Sequence, residues 1–445
     1  MGKIVRKNRD MCNVRAYLFF AFVAFLNFAF AEEYFGPDGF FWKSITSLPE
    51  SMGPYYGVAF DPQNLRVYVV GGYSSNQSHT GSNSVYLGKI QSNNDIVWSK
   101  LTNYPKYILG AFCFTNGVRL YCLGGDDGSS VLSESYCADI NPDGTIGSWR
   151  SYLSLPQPLH FHAGLFYKNM VFILGGRRLL YYDDVSDNSR DEIYRKDGDR
   201  WTLVSRLPTP LDAFAVTVYN GKVYISGGQI TWYNGKPARC HVNRVFFTTI
   251  SDSGEFGSWQ ETTSLPDVDD IDCGSGRIWP SKGMRAYHHM VAYDGYLYVF
   301  PAASFAVKGD CSVNQQQWLS STLRTLRAKI NPDGSLGNWE LVGPRERNFD
   351  CMNWQQDKMG TNVYGGFLLG SKFYLIAGMN YAGVTKAAYY MNLLREDMND
   401  DSLVNSTDVK ILLAKYLNSD IRADLNSDNV VNNFDTGLVV KKIVK

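Results

Sequence analysis

A phrase that opens on tryptophan recurs six times along the chain: "WKSITSLP" at Trp42, "WSKLTNYP" at Trp98, "WRSYLSLP" at Trp149, "WTLVSRLP" at Trp201, "WQETTSLP" at Trp259 and "WELVGPR" at Trp339. Between the copies stands a second recurring phrase, an apolar run closing on glycine: "VYVVGG", "LYCLGG", "VFILGG", "VYISGG", then the degenerate "LYVFPA" and "FYLIAG". Turns such as Asn116-Gly117, Asn220-Gly221 and Asp294-Gly295 precede these runs and are hairpin signals. Another strand-like run follows, as in "SVYLGKI", "ESYCADI", "RVFFTTI" and "LRTLRAKI". Each unit therefore reads as four strands that cannot bury their apolar faces alone, and six such units predict an all-β six-bladed propeller. The first tryptophan phrase has no strands before it in its own unit, and the last unit closes on the third-strand phrase "KAAYYMNL". The N-terminal strand is thus expected to complete the last blade, leaving few open sheet edges.

The diglycine after the second strand, the aromatic residue before it and the tryptophan of the fourth strand resemble the kelch repeat over about residues 41–393. The turns "NPDGTIGSW", "SDSGEFGSW" and "NPDGSLGNW" resemble those of bacterial kelch-like proteins. That resemblance implies the fold and little about function, because function is grafted onto such scaffolds.

The C-terminal segment is a separate unit built by duplication. "DMNDDSLVNSTD" at 397–408 and "DLNSDNVVNNFD" at 424–435 match position for position, 27 residues apart. Oxygen-bearing side chains fall at the first, third, fifth, ninth and twelfth places: Asp397, Asn399, Asp401, Asn405 and Asp408, then Asp424, Asn426, Asp428, Asn432 and Asp435. With the backbone carbonyls of Leu403 and Val430 at the seventh place, each loop offers a calcium ion the oxygen shell it requires. The alternative for either phrase alone is an Asx-rich turn capping a helix; two in register, each leading into matching apolar residues such as Leu412 and Val439, favour two calcium ions. Over 394–445 the segment resembles a type I dockerin, which implies docking onto a cohesin through Ser406, Thr407, Asn433 and Phe434. The two pairs differ, so the resemblance implies one dominant docking orientation.

A basic head, an apolar run over 16–30 and the small residues Ala29 and Ala31 form a signal peptide pattern, so residues 1–31 are expected to be removed on secretion. The domain order is then signal peptide 1–31, propeller 32–393 and calcium module 394–445. The remaining 38 Lys and Arg face 42 Asp and Glu, a balance that gives no general attraction to nucleic acid or to an anionic membrane. Seven cysteines stay in the mature chain, so at least one thiol is expected to be free or paired between chains.

Long connections at 177–191, 229–243, 266–286, 303–321 and 343–363 share one predicted face. They carry Trp232, Tyr233, Trp279, Trp318 and Trp354 beside Asp269, Asp270, Asp272, Arg277, Asp310, Arg345 and Asp350. Aromatic faces with carboxylates and guanidinium groups suit sugar rings; packing of these tryptophans among the loops is the equal alternative. Cys240, Cys273, Cys311 and Cys351 fall one per long connection and are expected to form two bridges there. Two functions stand: carbohydrate recognition by a dockerin-bearing propeller, and a polysaccharide-degrading enzyme, a glycoside hydrolase or lyase, on the same scaffold. No motif selects the carboxylate pair a glycosidase needs. Nor do His160, His162, His288 and His289 complete the constellation of a copper oxidase.

Overall fold

The computed structural model describes residues 33–35, 41–53, 55–73, 81–180, 188–233, 236–272, 277–281, 285–300, 303–307, 316–318, 325–342, 365–380, 383–394, 404–417, 425, 438–439 and 442–443. Six antiparallel sheets are arranged as blades. Their innermost strands are Gly57–Asp61, Phe112–Thr115, Ala163–Tyr167, Ala215–Tyr219, Met290–Tyr293 and Gly366–Leu369, each an edge of its own sheet. Blade six takes its outer strand from the start of the chain: Phe41–Ile45 pairs with Gly383–Asn392, Lys43 opposite Tyr390 and Ile45 opposite Ala388. The two ends of the ring are thus zipped within one blade, as the order of the repeats predicts.

The recurring residues are the contacts between blades. At the second glycine of each diglycine the amide donates to a carbonyl of the next blade: Gly72 to Ile108 (2.9 Å), Gly125 to Leu159 (2.8 Å), Gly176 to Leu211 (2.9 Å) and Gly228 to Arg285 (2.7 Å). Gly378 closes the circle by donating to Met52 of blade one (3.0 Å). A second belt lies nearer the axis, where Gly110 donates to Tyr55, Phe161 to Gly110, Ala213 to Phe161 and Tyr287 to Ala213. Farther out, the indole N–H groups of Trp98, Trp149 and Trp339 donate to the carbonyls of Thr46, Thr102 and Thr263 in the preceding blade. The phenols of Tyr68 and Tyr224 reach forward to the carbonyls of Gly144 and Gly334, in the third-to-fourth-strand turns of the following blade. Apolar side chains fill the space between: Tyr68, Leu87 and Leu120 between blades one and two, Phe172, Leu174, Val223 and Ile225 between three and four. The core is therefore a set of layers between blades, each sheet buried on both faces.

This geometry fixes two faces. First-to-second and third-to-fourth turns lie on one, the turn face; second-to-third connections and the links to the next blade lie on the other, the loop face.

Gly176 shows why the diglycine recurs. Its φ is +96°, and a Cβ there would stand 2.6 Å from that of His162 and 2.9 Å from the His162 Cα. Gly176→Ala is expected to destabilise the ring by about 2–4 kcal/mol, strain and overlap together. Gly198, at φ +58° with open space around it, is the control: Gly198→Ala should stay near 1 kcal/mol. Urea unfolding of both variants measures the difference.

Candidate ligand-binding site on the loop face

Three hairpins rise from the loop face over blades four and five. Gln229–Tyr233 pairs with Lys236–His241, Val268–Asp272 with Arg277–Ser281, and Ala303–Val307 with Gln316–Trp318. In register, Trp232 faces Pro237, Trp279 faces Asp270, Arg277 faces Asp272, and Trp318 faces Phe305. Strand Ala303–Val307 lies beside both Arg277–Ser281 and Lys236–His241 and also pairs with Arg285–Ala286. The structure thus brings the backbones that carry Trp232, Arg277, Trp279 and Trp318 into one raised rim. These residues are described by backbone alone, as is Cys240. Trp354, Arg345, Asp310, Asp350, Cys273, Cys311 and Cys351 lie outside the described residues.

Beside the rim is the mouth of the axis. Tyr55, Phe161 and Tyr287, from blades one, three and five, meet as a mutual triad with ring centroids 4.8, 5.1 and 5.4 Å apart. Gly110 and Ala213 hold the equivalent places in blades two and four, so large and small residues alternate over the five described belt positions and the three rings pack together at the axis. Tyr55, Phe161, Ala213 and Tyr287 all have φ between +52° and +74°. Because Gly110 shares that conformation at +61°, the strain belongs to the belt of hydrogen bonds rather than to any one residue. Under the triad lies an axial cavity of about 250 Å³, lined by inner-strand residues including Val58, Phe112, Gly164 and Val216.

A buried polar circuit surrounds the triad. His160 Nδ1 lies 2.8 Å from Asp126 Oδ2, and Arg177 Nε donates to His160 Nε2 at 2.9 Å. Nε2 also lies 3.1 Å from the Leu179 carbonyl, but the Arg177 N–H can only donate, so Nε2 accepts and the imidazole proton sits on Nδ1, facing the carboxylate. Burial pushes His160 below the ordinary histidine value, against the pull of Asp126 and helped by the charge of Arg177, so the ring is neutral near pH 7. The Arg177 guanidinium also stands over the Phe161 ring, 5.0 Å from its centroid. In the next pair of blades, Ser189 Oγ donates to Asp212 Oδ2 at 2.7 Å, and Gln229 Nε2 donates to Asp212 Oδ1 and to the Tyr287 phenol. The Asp126–His160–Arg177 contacts therefore join blade two to blade three, and the Ser189–Asp212–Gln229–Tyr287 contacts join blade three to four and four to five.

His288 and His289 join neighbouring blades, and His162 is buried at an equivalent place as a packing group. Tyr56 Oη donates to the Ile376 carbonyl of the preceding blade. His162, Phe214 and His288 occupy the equivalent place in blades three, four and five, and His288 Nε2 meets Ser226 Oγ at 2.8 Å. His289 Nε2 accepts the Gly366 N–H at 2.8 Å. Among the described residues no group of three or more His, Cys, Asp or Glu is placed to hold a metal ion. Burial pushes His162 down to about 3 and His288 well below the ordinary value.

The sequence reasoning missed Asp126, Arg177, Ser189, Asp212, Gln229 and Tyr287. A signal was there: Asp126, Arg177 and Gln229 each directly follow a diglycine, the point where the chain turns onto the loop face. It also missed the disulfide Cys113–Cys122, which joins directly opposed residues of the first and second strands of blade two. Cys137 is a buried free thiol.

No family model matches the chain. It is 24% identical over 202 residues to the Kelch repeat and BTB domain-containing protein 1 of Camelpox virus, a match covering 45% of this chain and 32% of that protein. Against Kelch repeat protein M-T8 of Myxoma virus the identity is 27% over 143 residues (31% and 25% covered), and against Beta-scruin of Limulus polyphemus 20% over 288 residues (56% and 29%). The chain is a six-bladed propeller related to kelch-repeat proteins. It spans a third or less of the length of these curated relatives. Among solved structures, that of YjhT aligns over 78% of this chain and 99% of its own, with a TM-score of 0.53 at 15% identity, a likeness of fold.

Three buried neutral imidazoles have a consequence for stability. A histidine whose folded value lies below 6.5 stabilises the fold fully above that pH and loses its contribution as pH falls toward the folded value. For His162, at about 3 in the fold, the loss runs from about pH 6.5 downward and amounts to a few kcal/mol at most, at about 1.4 kcal/mol per unit. The melting temperature is expected to drop below pH 6. His162→Phe, the solution blade four already uses in Phe214, should flatten that drop while leaving the value at pH 8 within a few degrees.

Proposed function

We propose that this is a secreted, carbohydrate-active propeller whose loop face engages a polysaccharide and whose C-terminal segment is a two-calcium module that docks onto a cohesin. The observation that carries the first half is the rim of three adjoining hairpins over blades four and five, whose backbones bear Trp232, Trp279 and Trp318. Aromatic planes beside carboxylates and guanidinium groups match the apolar faces and hydroxyl edges of sugar rings. The buried polar groups Asp126, His160, Arg177, Ser189, Asp212 and Gln229 favour an enzyme over a purely adhesive surface, since His160 is a buried imidazole pushed below its ordinary value between a carboxylate and a guanidinium, and such groups gather where chemistry is done. The reaction class is hydrolysis or elimination at an O-glycosyl bond. Asp126 and Asp212 already accept protein donors, so they would hold the floor of the site. The acid and base would come from the loop carboxylates Asp269, Asp270, Asp272, Asp310 and Asp350. Secretion is supported by the Cys113–Cys122 disulfide, a bond that persists in oxidising surroundings.

A glycan array probed with the full chain, followed by reducing-sugar or unsaturated-end release from every hit, tests this half. Binding with release is expected; a chain that retains no glycan overturns it. Trp279→Ala and Trp318→Ala should weaken retention about tenfold or more, one lost aromatic anchor each, at an unchanged melting temperature. If either variant unfolds instead, that tryptophan is loop core.

The second half rests on the duplicated loops. Of the calcium and cohesin residues, Asn405, Ser406, Thr407 and Asp408 are described; Asp397, Asn399, Asp401, Leu403, Asp424, Asn426, Asp428, Val430, Asn432, Asn433, Phe434 and Asp435 lie outside the described residues. The helix Ser406–Leu417 starts with a capping box: Asn405 Oδ1 accepts the Thr407 N–H, and Asp408 Oδ2 accepts the Asn405 N–H, both at 2.8 Å. Leu412 and Val439, 27 residues apart, meet with Leu425 in one buried cluster, the seam that two repeated units would share. A calcium ion would suit Asp408, a fully buried carboxylate at the head of that helix. Ser406 and Thr407 are exposed, as a docking surface needs. Circular dichroism of the full chain during calcium titration after chelation is expected to show gain of helix over an unchanged β background. Equal helicity with chelator and with calcium contradicts the proposal.

A further inference from the structure

The described chain leaves the propeller on a defined side. Gly383–Asn392 is the third strand of blade six, running from the loop face to the turn face, and its end is pinned there where Leu393 N–H donates to the Ser371 carbonyl at 2.8 Å. In the other blades this is where the third strand turns into the fourth. In blade six the turn is replaced by the two chain ends, because the fourth strand is Phe41–Ile45. The C-terminal segment therefore begins on the turn face.

It also returns to that face. Lys442, in the last described stretch, donates its ammonium to Asp294 Oδ2 at 2.5 Å. Asp294 sits in the tight first-to-second-strand turn of blade five, with φ +46°, followed by Gly295 at +81°. A turn-face residue of the neighbouring blade is thus tied to a residue 148 positions along the chain. One ion pair, with Asp294 57% exposed, contributes little stability by itself. Its value is positional, because it agrees with the side from which the segment leaves the ring.

We propose that the C-terminal segment docks intramolecularly beneath blade five, through Lys442 on Asp294, and so holds the anchoring end of the molecule opposite the loop face. The occupant of this turn-face surface is the chain's own C-terminal stretch at Lys442. If the readings above hold, the consequence is an orientation: a protein tethered through its C-terminal module presents Trp232, Trp279 and Trp318 outward, away from the scaffold. A module free on a flexible linker would present all faces equally.

Zero-length carbodiimide coupling, which joins an amine and a carboxylate only when they are in contact, tests the docking on the full chain in calcium and in chelator, with no glycan or cohesin present. The expected product is a peptide pair joining Lys442 to Asp294. It should vanish in Asp294→Lys and return when Asp294→Lys is combined with Lys442→Asp, where the amine and the carboxylate have exchanged places. Coupling of Lys442 to loop-face carboxylates, or to none in calcium, overturns the proposal. The helicity and glycan measurements above fail or succeed separately from this one.

Discussion

A propeller has no central core, so it stands on whatever joins one blade to the next. Here that is an amide placed by the second glycine of each diglycine, pointing across the gap to a carbonyl of the following blade, with a second belt of amides nearer the axis. The glycine is required because the chain passes against a neighbouring backbone at positive φ, where a side chain would overlap it. Once that spacing is set, the layers between blades fill with apolar side chains, and the tryptophans and tyrosines complete the join through their polar tips. Closure by Gly378 onto Met52, together with the pairing of Phe41–Ile45 on Gly383–Asn392, makes the first and last blades one unit.

This explains which parts could be read from the sequence. Trp98, Trp149 and Trp339 recur because each makes the same contact in the same place, and Gly72, Gly125, Gly176 and Gly228 recur for the same reason. "FYLIAG" looked degenerate, yet Ala377 adopts φ +56° in the place of the first glycine and Gly378 keeps the required second. The loop-face circuit was illegible for the opposite reason: at the place after the diglycine the chain carries Tyr73, Asp126, Arg177 and Gln229, and such variety makes no pattern. His162 and His288 share their places in the repeat with Tyr56 and Phe214, which makes them packing groups between blades. The Cys113–Cys122 bridge was within reach, since a hairpin turning at Asn116-Gly117 sets those two positions opposite each other.

The same regularity also shows where the chain departs from it. Blades four and five interrupt the four-strand pattern with paired strands that belong to no blade and lie beside one another. Tyr55, Phe161 and Tyr287 pack against one another over the axial cavity. The three hairpins stand on the loop face, and the third strand of blade six ends on the opposite, turn face.

Hydrogen–deuterium exchange of the full chain, with and without an oligosaccharide from the polysaccharide it retains, tests this account most directly. The account predicts slowed exchange in 229–243, 266–286 and 303–321, with the turn-face hairpins of blades one to six unchanged. Protection on the turn face, or uniform exchange at saturating oligosaccharide, would contradict it.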